Sequence, residues 1–373
     1  MSDPPTASVP TIVRVSAAVL EPAVRVDGWS LVTGQVPRLP CVAVKVETED
    51  GHAGLGLIGA LQPFDAPAGA IRECVAYLGA RLIGKELRIA PLMTGMAQAL
   101  FGFPEVRAGF EMAFHEVAAH AGGRSIASML GGRRHDRLPV SRMVSLQSPE
   151  LMGRAAADLV ADGFRVIKFK LGGNSDLDVA RARAVRAAVG DAVRLTADAN
   201  GRYGAKSAID TIGLMDACAI DIIEQPVPRE DLDGLRMVTH AVRPMVEADE
   251  SAGSPAEIAR LGRDRAVDSV VLRLPRLGGV TAVLECVAIC RAFGLRYRFG
   301  VCFLPGPFQA FAAQVASILP DLPLAHELAE HALLDGDPFE GPDIRDGYLT
   351  VPDRVDPAWL GAGQAIDWVV LAS

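Results

Sequence analysis

The runs VIKFK, RLTAD, IDIIE, MVEADE, SVVLR and PLAHE each close an apolar stretch with an ionisable group. In chain order these groups are Lys168 and Lys170, Asp198, Glu224, Asp249 with Glu250, Arg273, and Glu327. From Lys170 to Arg273 they recur roughly every 25 residues, the length of one strand, one turn and one helix. Such a repeat brings strand tips to one mouth, so groups far apart in sequence face one small volume. Asp198, Glu224 and Asp249 would repel one another there if left unpaired. A hard divalent cation resolves that repulsion, and all-oxygen ligation favours Mg2+ or Mn2+ over Zn2+. Any one of these acids could equally be a helix cap or half of a surface ion pair. Three at successive tips make that reading poor.

Lys168 and Lys170 lie two residues apart, so on a strand they share a face. Two like charges beside each other and beside a metal are expected to lower a lysine from about 10.4 towards neutrality, where it serves as a general base. A lone Lys-x-Lys is a weak motif, and its weight comes from its place just before the first carboxylate tip.

These side chains need elements to hold them. Residues 11–61 alternate as strands, with EDG as a hairpin turn, and 66–130 repeat apolar residues at helical spacing. Together they predict a small α+β unit. Strands are then expected at 138–145, 164–170, 193–198, 220–224, 244–249, 268–273, 297–301 and 323–327, with amphipathic helices between them. That rhythm argues for a closed α/β barrel rather than an open sheet. The division expected is a cap over 1–132, a barrel over 133–344, and a tail, 345–373, that packs back on the cap.

The chain has 373 residues, half of them hydrophobic and 22% charged, enough for a sizeable core. A net charge of -8 without a basic block argues against nucleic acid as a partner. The six cysteines form no CxxC and no zinc pattern, and read as buried thiols. No apolar run reaches membrane-spanning length, and MSDPPTASVP lacks a signal pattern, so a cytoplasmic enzyme free of membrane partners is expected.

VIKFKLGG, LTADANGRY, IIEQPV, VEADES, LPRLGG and AHELAE, in this order and spacing, resemble the enolase superfamily, specifically its muconate-lactonizing subgroup. FEMAFHEVAAHAGGRSIASMLGG is similar to the end of that family's capping domain. The resemblance implies a modified (β/α)7β TIM barrel with an N-terminal α+β cap. It implies Mg2+ (or Mn2+) on Asp198, Glu224 and Asp249, Lys170 as base and Lys168 assisting. It also implies a metal-stabilised enediolate from a small carboxylic-acid substrate, with Glu327 bonding the carboxylate from the other side. Asn200 and Glu250 are placed with the substrate-binding residues. Cap loops around 20–35 and 55–63 would choose the substrate, with Trp29 and Ile58 as lining residues. A homo-oligomer is expected.

One position departs from the pattern. Where the subgroup carries a second lysine, five residues before Gly-Gly, this chain has Arg273. Arginine keeps its proton, with a pKa above about 12, and is a poor second base. Dehydration or cycloisomerisation, which need one lysine, are favoured over racemisation or epimerisation, and Arg273 would stabilise charge or grip a second carboxylate. The seventh strand end, GVCFLPG, lacks a histidine for a His–Asp dyad. GLGLIG formally matches a dinucleotide fingerprint, but it follows a hairpin and no helix comes next. A barrel that binds without catalysis is the third reading, opposed by the intact lysines and carboxylates.

Overall fold

The computed structural model describes residues 9–353 and 366–373, apart from 27, 32, 63, 301 and 336. The cap is built on three antiparallel strands, β1 (Ile12–Leu20), β2 (Cys41–Thr48) and β3 (Ala53–Gly59), with β2 and β3 joined by the Glu49–Gly51 turn. The helices α1 (Ala68–Leu82), α2 (Ile89–Ala99) and α3 (Pro104–Gly122) cover it. The GLGLIG glycines belong to β3, not to a phosphate loop: a Cβ at Gly54 or Gly56 would collide with the carbonyls of Ala113 and Gly109. They let α3 lie directly on the strand.

The barrel is a seven-stranded parallel sheet, hydrogen-bonded in chain order. Its strands are β4 (Arg142–Val144), β5 (Val166–Lys170), β6 (Arg194–Asp198), β7 (Ile222–Glu224), β8 (Met245–Ala248), β9 (Ser269–Leu272) and β10 (Arg296–Phe299). Ser148, Asn174, Asp231 and Ser254 accept hydrogen bonds from the first turns of the intervening helices, which fixes where each helix starts. Strands buried on both faces need no polar alternation, which is why their interior parts read as apolar runs.

Two expected strands differ. The run at 138–145 divides: Arg137–Pro139 pairs antiparallel with Tyr348–Thr350, and only Arg142–Val144 joins the barrel. The eighth strand shrinks to a single parallel bridge, Val140 with His326. That bridge still closes the ring. His326 N–H donates to Pro139, its carbonyl accepts from Ser141, and Glu327 N–H donates to Phe299. Backbone bonds thus reach both neighbouring strands, and the architecture is the modified barrel. The tail strand β11 (Val369–Ala372) pairs antiparallel with β1 at the edge of the cap sheet.

Candidate active site

Parallel register sets the site. Lys170 lies beside Asp198, and Asp198 beside Glu224, as Cα partners on three adjacent strands. All three are buried, as are Lys168, Asp249 and Glu327. Lys168 Nζ stands 3.1 Å from Asp198, 2.7 Å from Glu224 and 2.9 Å from Glu327. Lys170 Nζ stands 2.6 Å from Asp198 Oδ2 and donates to Asn200 Oδ1 at 2.9 Å. Asn200 Nδ2 donates in turn to Glu250 Oε1 at 3.1 Å, and its backbone N–H to Asp198 Oδ1 at 2.9 Å. Asn200 adopts a positive φ of 44°, a conformation asparagine tolerates, which turns the chain just past the β6 tip.

The electrostatics correct one expectation. Burial alone would lower Lys168, but Asp198, Glu224 and Glu327 outweigh it and hold the ammonium charged, well above the ordinary lysine value. Lys168 is therefore a fixed cation rather than a softened base. Burial would raise Asp198, yet Lys168 and Lys170 hold its carboxyl well below the usual range. Glu250 moves up, from burial and from the charges of Asp249 and Asp198.

Asp249 sits just past the β8 tip. Its backbone N–H donates to Gln225 Oε1 at 3.0 Å, which fixes the carboxylate's position. Oδ1 accepts from Arg273 Nε at 2.7 Å and from Arg276 Nη1 at 2.8 Å, and Oδ2 pairs with Arg273 Nη2. Among the described residues no three His, Cys, Asp or Glu side chains stand together as a metal cluster, and lysines and arginines pair with the carboxylates.

The donor set nonetheless suits a hard divalent cation. It is all carboxylate oxygen, placed at successive strand tips, and Glu250 Oε2 beside it is buried with no hydrogen-bond partner. An orphaned carboxylate oxygen among like charges is what a cation would satisfy.

Lys170, Asn200, Glu250, Arg273 and Arg276 border one cavity of about 180 Å3, closed from the cap side by Leu31, Gly59, Leu61, Phe64 and Asp65. Cys302, also on its wall, is pushed up to about 12 by burial and stays a thiol. Two lining expectations are corrected. Trp29 is buried behind the wall, its ring edge-on to Phe303 at 5.2 Å. Ile58 alternates away on β3 and packs into the cap core against α3, so Gly59 reaches the cavity instead. Positions 27, 32 and 63 of the expected cap loops lie outside the described residues.

Sequence reasoning missed three charged groups. Arg276 joins Arg273 on Asp249. Arg298 and Glu247 are fully buried: Arg298 lies 2.6 Å from Glu247, 2.7 Å from Glu224 and 3.1 Å from Glu327. Their signal was the polar residue inside YRF and VEA, two of the apolar strand runs.

Comparison with known proteins bears on the family and the fold. Residues 151–368 match the enolase C-terminal domain-like family, and 14–131 match the mandelate racemase/muconate lactonizing enzyme N-terminal domain. A D-Ala-D/L-Ala epimerase of Cytophaga hutchinsonii is 28% identical over 335 residues, 88% of this chain and 89% of that one. A chloromuconate cycloisomerase of Cupriavidus pinatubonensis is 30% identical over 295 residues, 78% of each. Among solved structures, the dipeptide epimerase of Cytophaga hutchinsonii, complexed with Mg and D-Ala-L-Val, superposes with a TM-score of 0.90 at 24% identity, covering 97% of this chain and all of that one, a likeness of fold. The chain belongs to the enolase superfamily, in its mandelate racemase/muconate lactonizing enzyme type, and is an enzyme of the isomerase or lyase kind.

Proposed function

We propose that this enzyme removes the α-proton of a small carboxylic acid with Lys170 as base, in a Mg2+-dependent reaction that needs no second base. Cycloisomerisation and dehydration both fit that description. The observation that carries the proposal is the placing of Lys170 Nζ at the cavity wall beside Asp198, while Arg273 on the same cavity is engaged with Asp249.

Asp198, Glu224 and Asp249 would hold the cation, which supplies fixed positive charge where the substrate carboxylate gains negative charge. Lys168 and Arg298 orient Glu224 and Glu327, and they hold the Glu327 carboxyl below its ordinary value against burial. Asn200 steers Lys170 Nζ and ties it to Glu250. In dehydration Lys170 would take the α-proton at Nζ and pass it to the hydroxyl leaving from the same face, so that the C–O bond breaks and water departs. In cycloisomerisation a substrate carboxylate oxygen adds to a C=C bond and Lys170 gives its Nζ proton to the enolate carbon, the reverse direction removing it. Arg273 holds positive charge without titrating. Leu61, Phe64 and Phe303 supply apolar wall to the cavity.

Epimerisation of a dipeptide-like acid is the second reading, favoured by the Cytophaga hutchinsonii relative. It needs a proton donor on the other face, and Arg273 occupies that sequence position. Candidate acids incubated with enzyme and Mg2+ in D2O, followed by 1H NMR, separate the two. Single-face exchange with retained configuration supports the one-base mechanism. Inversion, with both enantiomers exchanging at similar rates, overturns it for the epimerase, and no exchange across the panel overturns the α-proton reading.

A further inference from the structure

The carboxylates at the strand tips are not held alike. Asp198 faces two ammonium groups, compact charges that can shift aside without a directional grip, and Glu224 meets the Lys168 ammonium and one nitrogen of Arg298. Asp249 is gripped by a guanidinium fork: both oxygens pair with Arg273, and Arg276 adds a further bond to Oδ1 and one to the backbone carbonyl at 3.0 Å. A fork of this kind occupies the lone-pair directions a metal ion would use. Asp249 cannot serve both at once.

Arg273 also has somewhere to go. Its side chain is 19% exposed and borders the cavity, and that of Arg276 is 32% exposed. Asp65, on the cap side of the same cavity, feels the charge of both arginines. Glu250, beside Asp249, presents its orphaned Oε2.

From these contacts we infer that Arg273 is a displaceable counter-ion of Asp249. Held on Asp249, it keeps the third carboxylate closed to a divalent cation; cation binding releases the guanidinium into the cavity, where it meets the substrate's negative charge. This makes Arg273 a positioning residue that sets metal affinity through Asp249. The inference rests on the metal-dependent reading above.

The test reads metal binding, not turnover. Free Mn2+ is followed by electron paramagnetic resonance during titration of the full-length wild-type, Arg273→Met, Arg273→Lys and Arg273→Met/Asp249→Asn proteins, with folding checked by near-ultraviolet circular dichroism. Arg273→Met is expected to bind Mn2+ about tenfold or more tighter than wild type, because it loses the competing pair. Asp249→Asn on that background should abolish the gain. Arg273→Lys, whose ammonium cannot grip both oxygens, should fall between, and carries the comparison if the methionine variant does not fold. Saturable binding that is equal or weaker in the folded Arg273 variants overturns the inference and leaves the metal-dependent reading standing. Absence of saturable binding in every protein overturns both.

Discussion

Arg298 Nη2 lies 2.7 Å from Glu224 Oε2, so a carboxylate at a strand tip is held by a cation rooted inside the barrel. The same guanidinium holds Glu247 and Glu327, and Lys168 meets Glu224 and Glu327 as well. The group is a buried network in which each acid leans on a shared cation.

Removing that cation takes away the ion pair of buried Glu247 and leaves Lys168 to Glu224 and Glu327. Arg298→Met is expected to lower unfolding free energy by about 3–5 kcal/mol, measured by urea denaturation. Adding Glu247→Gln should recover part of the loss, because one stranded charge disappears with it. A loss below about 1 kcal/mol in the single variant would mean that the network does not hold the site together.

Lys170→Ala should abolish solvent-deuterium exchange at the substrate α-carbon, a drop of about 10²–10⁴-fold or more, with Mn2+ binding retained. Full exchange by this variant would refute the assignment of the base. The conservative Lys170→Arg should not rescue exchange, since a guanidinium does not accept a proton at ordinary pH.

Glu116, on α3, is buried and pushed up to about 8; its Oε2 accepts from Leu55 N–H at 2.8 Å and its Oε1 has no hydrogen-bond partner. Between the unfolded value near 4.5 and the folded value of about 8, the folded protein keeps a proton that the unfolded chain has lost. Stability from this group is full below that window and falls as pH rises through it, by at most about 1.4 kcal/mol per pH unit. Glu116→Gln, a mimic of the protonated acid, should flatten the stability profile from pH 5 to 8. Parallel profiles for the two proteins would show that Glu116 is ionised in the fold.

Gly279 adopts a φ of +125°, and a Cβ there would collide with Glu111 Oε2, which accepts from the N–H of Val280. Gly279→Ala is expected to cost about 1–3 kcal/mol and to raise KM more than it lowers kcat, because it disturbs the contact between cap and barrel while sparing Lys170. An unchanged KM with reduced kcat would contradict that division.

The periodic strand tips were legible because a parallel barrel forces one apolar run and one turn per unit, and Lys170, Asp198, Glu224, Asp249 and Arg273 fall where each run stops. Arg298 and Glu247 were not, because they sit inside runs, where period alone cannot tell an interior charge from a surface one. Their meaning appears only when β8 and β10 curl to face β7. The eighth strand was over-read for a related reason: backbone bonding through His326 closes the ring with one bridged residue, and the rest of PLAHE follows no ladder. Ile58 was misplaced because alternation along β3 gives two faces, and only the seat of α3 decides which one looks at the cavity.

Glu111 reaches from the cap helix to the N–H of Val280 and toward the Thr281 hydroxyl, directly after the turn that carries Arg273 and Arg276. The arginine turn is thereby riveted to the cap as well as to the barrel. Grafting a cap from a relative to change substrate preference would therefore also reset the posture of both arginines, so ligand choice and charge placement are inherited together.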